Sequence, residues 1–211
     1  MTKLTLKLSI LFVFQFVFFF SPLGQTIAYK ETIGTYSGTI SVASYTGWSN
    51  GTTYTHTVTA GTVALNSSVS ASNYTNASGG TPVKVSGSST WIISGINTSS
   101  YTNLKLSFGI HKVNFNNSGS GMNIEVSSDG INYTTLTWTA LPTGSGTGDT
   151  WHYRAGGVDV TGTIPCASNL RIRFRNTSSN SYDFDDIEIT GSVVLPVQLT
   201  SFTAEIALTT Q

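Results

Sequence analysis

The sequence predicts an all-β protein, an antiparallel jelly-roll β-sandwich, on three observations. Apolar and polar residues alternate with a period of two in segment after segment. Helical periodicity is absent beyond residue 28. The gaps between alternating segments are filled with Gly, Asn, Ser and Thr, the residues of tight turns. Nothing supplies crossover helices between parallel strands, which excludes a βαβ arrangement.

Residues 1–28 read as an export signal that precedes the sandwich as a helix. Lys3 and Lys7 give a basic start, Ile10 to Phe20 an aromatic-rich apolar run, and Pro22 a stop. Thr26 and Ala28 are the small residues of a peptidase site, which places the mature start at Tyr29. A spanning helix needs roughly 20 apolar residues; this run is broken at Gln15 and closed by Ser21 and Pro22. In the sandwich, 29–191, strands are expected at 36–43, 56–65, 82–86, 91–94, 104–110, 122–126, 133–139, 151–154, 171–175 and 183–190. In 104–110, Leu104, Leu106, Phe108 and Ile110 face a core, and Lys105, Ser107 and Gly109 face away. In 171–175, Ile172 and Phe174 point inward. Ser128, Asp129 and Gly130 make the link between two strands a tight hairpin. Leu195 and Pro196 then mark a linker, and 198–207 begins a fresh alternation, so 192–211 reads as a linker and the truncated start of a following module.

Charged residues make up 9% of the chain, against roughly 25% in ordinary globular proteins. Recurrent Val, Ile, Leu, Tyr and Trp nevertheless suffice for a core and exclude disorder. Once Lys3 and Lys7 leave with the signal, eight basic residues face ten acidic ones. That balance offers no field for nucleic acid or anionic lipid. Cys166 is the only cysteine, so no internal disulfide forms, and its ordinary role is that of a small buried hydrophobe. His56, His111 and His152 lack metal-ligand spacing, no Gly-x-Ser-x-Gly elbow occurs, and 144–148 lacks the Lys of a phosphate loop. No catalytic residue is expected.

Three stretches carry a family likeness: WIISGINTSSYTNLKLSFGI at 91–110, IEVSSDGINYTTL at 124–136 and LRIRFRNTSSNSYDFDDIEITG at 170–191. Together they resemble the jelly-roll modules of secreted Bacteroidetes proteins, which are similar to the MAM, cleaved-adhesin and carbohydrate-binding sandwich families. The ending LPVQLTSFTAEI resembles the junction before the later modules of type IX secretion cargo. The resemblance implies a non-catalytic binding or adhesion module, secreted or at the cell surface. Its expected partner is an extracellular glycan or a surface protein, with no nucleic acid, no membrane insertion after signal cleavage, and a monomeric state. The other expectation is a structural accessory domain of a longer secreted hydrolase: a nuclease, protease or glycosidase.

Two candidate sites follow. Alternation from 183 to 190 puts Asp185 on the core face with Ile187 and Ile189, and Phe184, Asp186 and Glu188 on the other. A carboxylate aimed inward must be hydrogen-bonded, paired or metal-bound. By analogy with the related sandwiches, which hold a structural cation between first and last strands, Glu31 joins Asp185 as a ligand of Ca²⁺ with backbone carbonyls completing the shell. A hydrogen-bonded turn aspartate without an ion is the other reading. The second candidate is an aromatic sugar platform of Trp138, Trp151 and Tyr153, against packing of the same rings in the core. Trp48 and Trp91 are expected to be structural. Arg171, Arg173 and Arg175 form a solvated strand face, expected to pair with Asp183, Asp186 and Glu188.

Overall fold

The period-two segments fold as strands. The computed structural model describes residues 24–51 and 53–193. Among them the chain forms β1 (Gln25–Glu31), β2 (Thr39–Ser41), β3 (Thr55–Asn66), β4 (Val83–Ile96), β5 (Tyr101–Lys112), β6 (Met122–Ser127), β7 (Thr134–Trp138), β8 (Thr150–Arg154), β9 (Val160–Thr161), β10 (Leu170–Asn176) and β11 (Ser181–Val193). All their ladders are antiparallel. β10 returns to lie between β4 and β6, and β11 between β4 and β5. Late strands inserted between early ones are the crossover of Greek-key and jelly-roll sheets. The chain is therefore an antiparallel jelly-roll β-sandwich.

The front layer runs β2-β3-β4-β11-β5-β8, with β1 alongside the second half of β11; the back layer runs β3-β4-β10-β6-β7-β9. β3 and β4 belong to both, because Val83 to Ser86 pair with β11 while Thr90 to Ile96 pair with β10. At the passage Ala60 opposes Thr90 and Thr62 opposes Ser86, so β4 carries extra residues there. Gly61 turns the chain at φ +65°, and Thr62 N–H donates to Ser89 Oγ at 2.8 Å. A bulge of this kind bends a strand from one sheet into the other. Rings from the two layers then meet: Phe174 of β10 lies 4.6 Å from Phe184 of β11 and 6.2 Å from Phe108 of β5, with Trp91 5.0 Å away on its far side. Leu106, Phe108, Ile110, Ile172 and Phe174 are buried as their alternation predicts.

The structure departs from the sequence reading in several places. Segment 36–43 yields only Thr39–Ser41, because Ser41 Oγ caps a 3-10 turn that diverts the chain. Segments 82–86 and 91–94 are one strand; the polar stretch that reads as a turn is the bulge of β4. β1 begins at Gln25, inside the expected signal, and pairs Gln25 with Ser192 and Glu31 with Ile187. The remainder of that signal, to residue 23, and the tail from 194 lie outside the described residues. Cys166 is exposed, not buried, and its Sγ contacts the Tyr101 carbonyl at 2.8 Å. The arginine stripe pairs with a different acid. Arg173 Nε and Arg175 Nη2 lie 2.6 and 2.8 Å from the carboxylate of Glu125, their neighbour on β6, and Arg173 caps the Tyr133 ring.

Candidate functional site

The decisive local feature is a bulge in β11. Asp185 pairs with Gly109, but Glu188 pairs with Ser107, so one extra residue sits between them. Asp186 takes it up at φ +50°, a left-handed conformation that aspartate tolerates better than most residues. The parity of the strand changes there. Phe184, Ile187 and Ile189 all face the core, while Asp183, Asp185 and Glu188 face the opposite side. This overturns the expectation that Asp185 shares a face with Ile187 and Ile189. Asp185 is still fully buried, because the β3–β4 connection, residues 67–82, roofs that side of the sheet.

Ser78 and Tyr74 fasten the roof. Ser78 N–H and Tyr74 O–H donate to Asp186 Oδ2 at 3.0 and 2.6 Å, and Ser78 Oγ lies 3.2 Å from Asp185 Oδ2. Tyr74 reaches in because β5 has a glycine beneath it: a Cβ on Gly109 would stand 2.2 Å from the phenolic oxygen. Burial and the bond to Asp186 push the Tyr74 phenol up. Burial, with the adjoining Asp186 charge, pushes the Asp185 carboxyl up to about 8. Asp186 is 6% exposed, and its Oδ1 has no hydrogen-bond partner among the described residues.

Beside this carboxylate pair opens a cleft of about 530 Å³, lined among others by Lys30, Tyr74, Asn76, Tyr153, Asp186 and Glu188. Tyr74 and Tyr153 stack with centroids 5.5 Å apart and planes at 25°. Tyr153 is 37% exposed. Lys30 Nζ lies 3.2 Å from Glu188 Oε2 across the β1–β11 pair. The arrangement offers flat apolar faces ringed by an amide, an ammonium and two carboxylates.

Of the three aromatics predicted as a platform, only Tyr153 lines the cleft. Trp151 shares its strand face but is 6% exposed and lies beneath, 6.3 Å from Tyr74 and 5.3 Å from His111. Trp138 is elsewhere: it covers Gly119, donates to the Met122 carbonyl at 3.1 Å and packs edge-on to Phe108. Tyr74 was missed. Its only sequence signal is a large aromatic standing alone in a Ser-, Asn- and Gly-rich connection.

Glu31 is fully buried at the end of β1. Its Oε1 accepts from Ile33 N–H at 2.8 Å, Ser49 N–H at 2.9 Å and Ser49 O–H at 2.6 Å, and its Oε2 from Asn50 Nδ2 at 3.1 Å. Oε2 thus keeps acceptor capacity. Glu31 faces the core side, paired with Ile187 across from the bulge, and its charge contributes to the upward shift of Asp185. Among the described residues neither carboxylate has a cationic partner. The carbonyl oxygens of Thr32 and Gly34 converge on Gly80, where a Cβ would stand 3.0 and 2.5 Å from them. Among the described residues no group of three or more His, Cys, Asp or Glu could hold an ion. A cation would rest on two carboxylates and on carbonyls, a hard oxygen set that suits Ca²⁺.

The histidines lie apart. His111, buried, bridges Asp183 at 3.0 Å and Asp149 at 3.1 Å. His56 stacks on Trp48, and both rings lie about 6 Å from Trp91. Among the described residues no helix is long and apolar enough to cross a membrane.

No family model matches the sequence, and no curated protein does. Among solved structures the chain is similar to a xylan-binding domain from Paenibacillus barcinonensis, with a TM-score of 0.45 and 14% identity over 83% of this chain and 100% of that one. It is similar to a carbohydrate esterase of the Shiga toxin-encoding bacteriophage phi24B, with a TM-score of 0.42 and 12% identity over 80% and 100%. It is also similar to a Clostridium thermocellum xylanase fragment that joins a CBM22 module to a GH10 module. That match has a TM-score of 0.44 and 14% identity, over 64% of this chain and 26% of that one.

Proposed function

We propose that this chain is an exported, non-catalytic glycan-binding module, and that the cleft beside Tyr74 and Tyr153 is its binding surface. The observation that carries the reading is the half-exposed tyrosine pair standing next to Asn76, Glu188 and Lys30. Pyranose C–H faces pack on flat aromatic rings, while nearby amides and charged groups bond the ring hydroxyls. Trp151 supports Tyr74 from below, so the wall is preorganised.

The test is affinity electrophoresis and calorimetry on a panel of plant, algal and bacterial polysaccharides. At least one should bind, and Tyr153→Ala should weaken it about tenfold or more while leaving the unfolding curve in place. A folded protein that binds none of them overturns the reading. We also propose that a structural Ca²⁺ joins Glu31 and Asp185, with backbone carbonyls completing its shell.

A further inference from the structure

The charge of the cleft narrows its ligand beyond the glycan class. Three charged side chains line it: Lys30, Asp186 and Glu188. Lys30 and Glu188 neutralise each other at 3.2 Å, which leaves Asp186. Its two hydrogen bonds come from neutral donors, the Tyr74 hydroxyl and the Ser78 amide, and both go to Oδ2. Oδ1 is buried without a partner among the described residues. The neighbouring guanidinium of Arg154 is engaged elsewhere, donating to the carbonyls of Ala140 and Tyr153. A buried carboxylate lacking a cation is stabilised by any positive group that reaches it. The adjoining tyrosine faces attract the same group through their quadrupoles.

Resting on the glycan reading, we infer that the cleft selects glycans bearing free amines, hexosamine residues with an ammonium, over N-acetylated and uronate-bearing ones. Acetylation removes the charge that Asp186 answers. A uronate meets Asp186 as a like charge.

The test is calorimetry on the full chain at mildly acidic pH and low salt. It uses glucosamine oligomers, N-acetylglucosamine oligomers and galacturonate oligomers of matched length. Glucosamine oligomers should bind about tenfold more tightly than their acetylated counterparts. The gap should shrink at high salt, as a screened charge interaction must. Asp186→Asn keeps a residue suited to positive φ and should abolish the gap. Glu188→Gln, which frees Lys30, should narrow it and serves if the first variant does not fold. Equal or weaker binding of glucosamine oligomers by a protein that binds other glycans overturns this specificity and leaves the glycan reading standing. Binding of no glycan at all overturns both.

Discussion

His56 shows how much one residue contributes unseen. Trp48 lies parallel to its ring at 3.5 Å and Trp91 lies 5.9 Å away; neither ring nitrogen has a hydrogen-bond partner among the described residues. Burial pulls the imidazole down to about 4. The ordinary value of an unfolded chain is about 6.5, so the unfolded state takes up its proton first as pH falls. The contribution is complete above about 6.5 and is lost as pH drops through that value to about 4, for a total of about 3 kcal/mol. Urea denaturation across this window should show a shallower acid limb in His56→Phe than in the wild type. An unchanged limb would assign the acid sensitivity to other groups. The structural role of Trp48 and Trp91 was legible in the sequence. The stack was not, since it joins β3, β4 and the loop before β3, which only the fold brings together.

Elements were legible where one face meets a core and the chain stays regular. β5 and β10 alternate without interruption, and their inward sets were readable residue by residue. β11 was not, because a bulge leaves no mark in an apolar pattern: DFDDIEI alternates on paper with the wrong parity after Asp185. The arginine partner was missed for a related reason. Cross-strand pairing depends on strand order, and β10 lies beside β6 with its Glu125, not beside β11. Burial pushes the Glu125 carboxyl up, but hydrogen bonds from Arg175 and Arg173 outweigh it and hold it below the usual range. The bulge between β3 and β4 gives a sharper test of an element. A Cβ on Gly61 would stand 2.2 Å from Ser89 Oγ and 2.7 Å from the Ser88 carbonyl, at φ +65°. Gly87 has a similar φ of +55° but open space around it. Gly61→Ala should therefore cost about 2–3 kcal/mol in chemical denaturation, and Gly87→Ala only about 1 kcal/mol, the backbone cost alone. Equal costs would mean that the bulge relaxes and that strain at the passage between layers is unimportant.

Across the whole molecule, the roof over the front layer decides both binding and stability. It carries Tyr74 to the cleft and is anchored by carboxylates that no cation among the described residues neutralises. Lys30 is spent on Glu188, and Arg173 and Arg175 on Glu125. Glu31 and Asp185, both fully buried, lie where the first strand and the last strand meet, Glu31 on the core side and Asp185 under the roof. A bound Ca²⁺ there would couple two parts of the chain far apart in sequence, and its stabilisation would grow with the logarithm of its concentration. At a hundredfold excess over its dissociation constant the gain is about 2.7 kcal/mol, or a rise in Tm of about 5–10 °C for a domain of this size. Chelation should reverse the rise. Asp185→Asn should remove the response, and Glu31→Gln, which keeps an oxygen for the Ser49 and Ile33 donors, should weaken it. A Tm indifferent to both calcium and chelator would leave the carboxylates held by hydrogen bonds and a retained proton on Asp185, whose raised value of about 8 already permits that state at neutral pH.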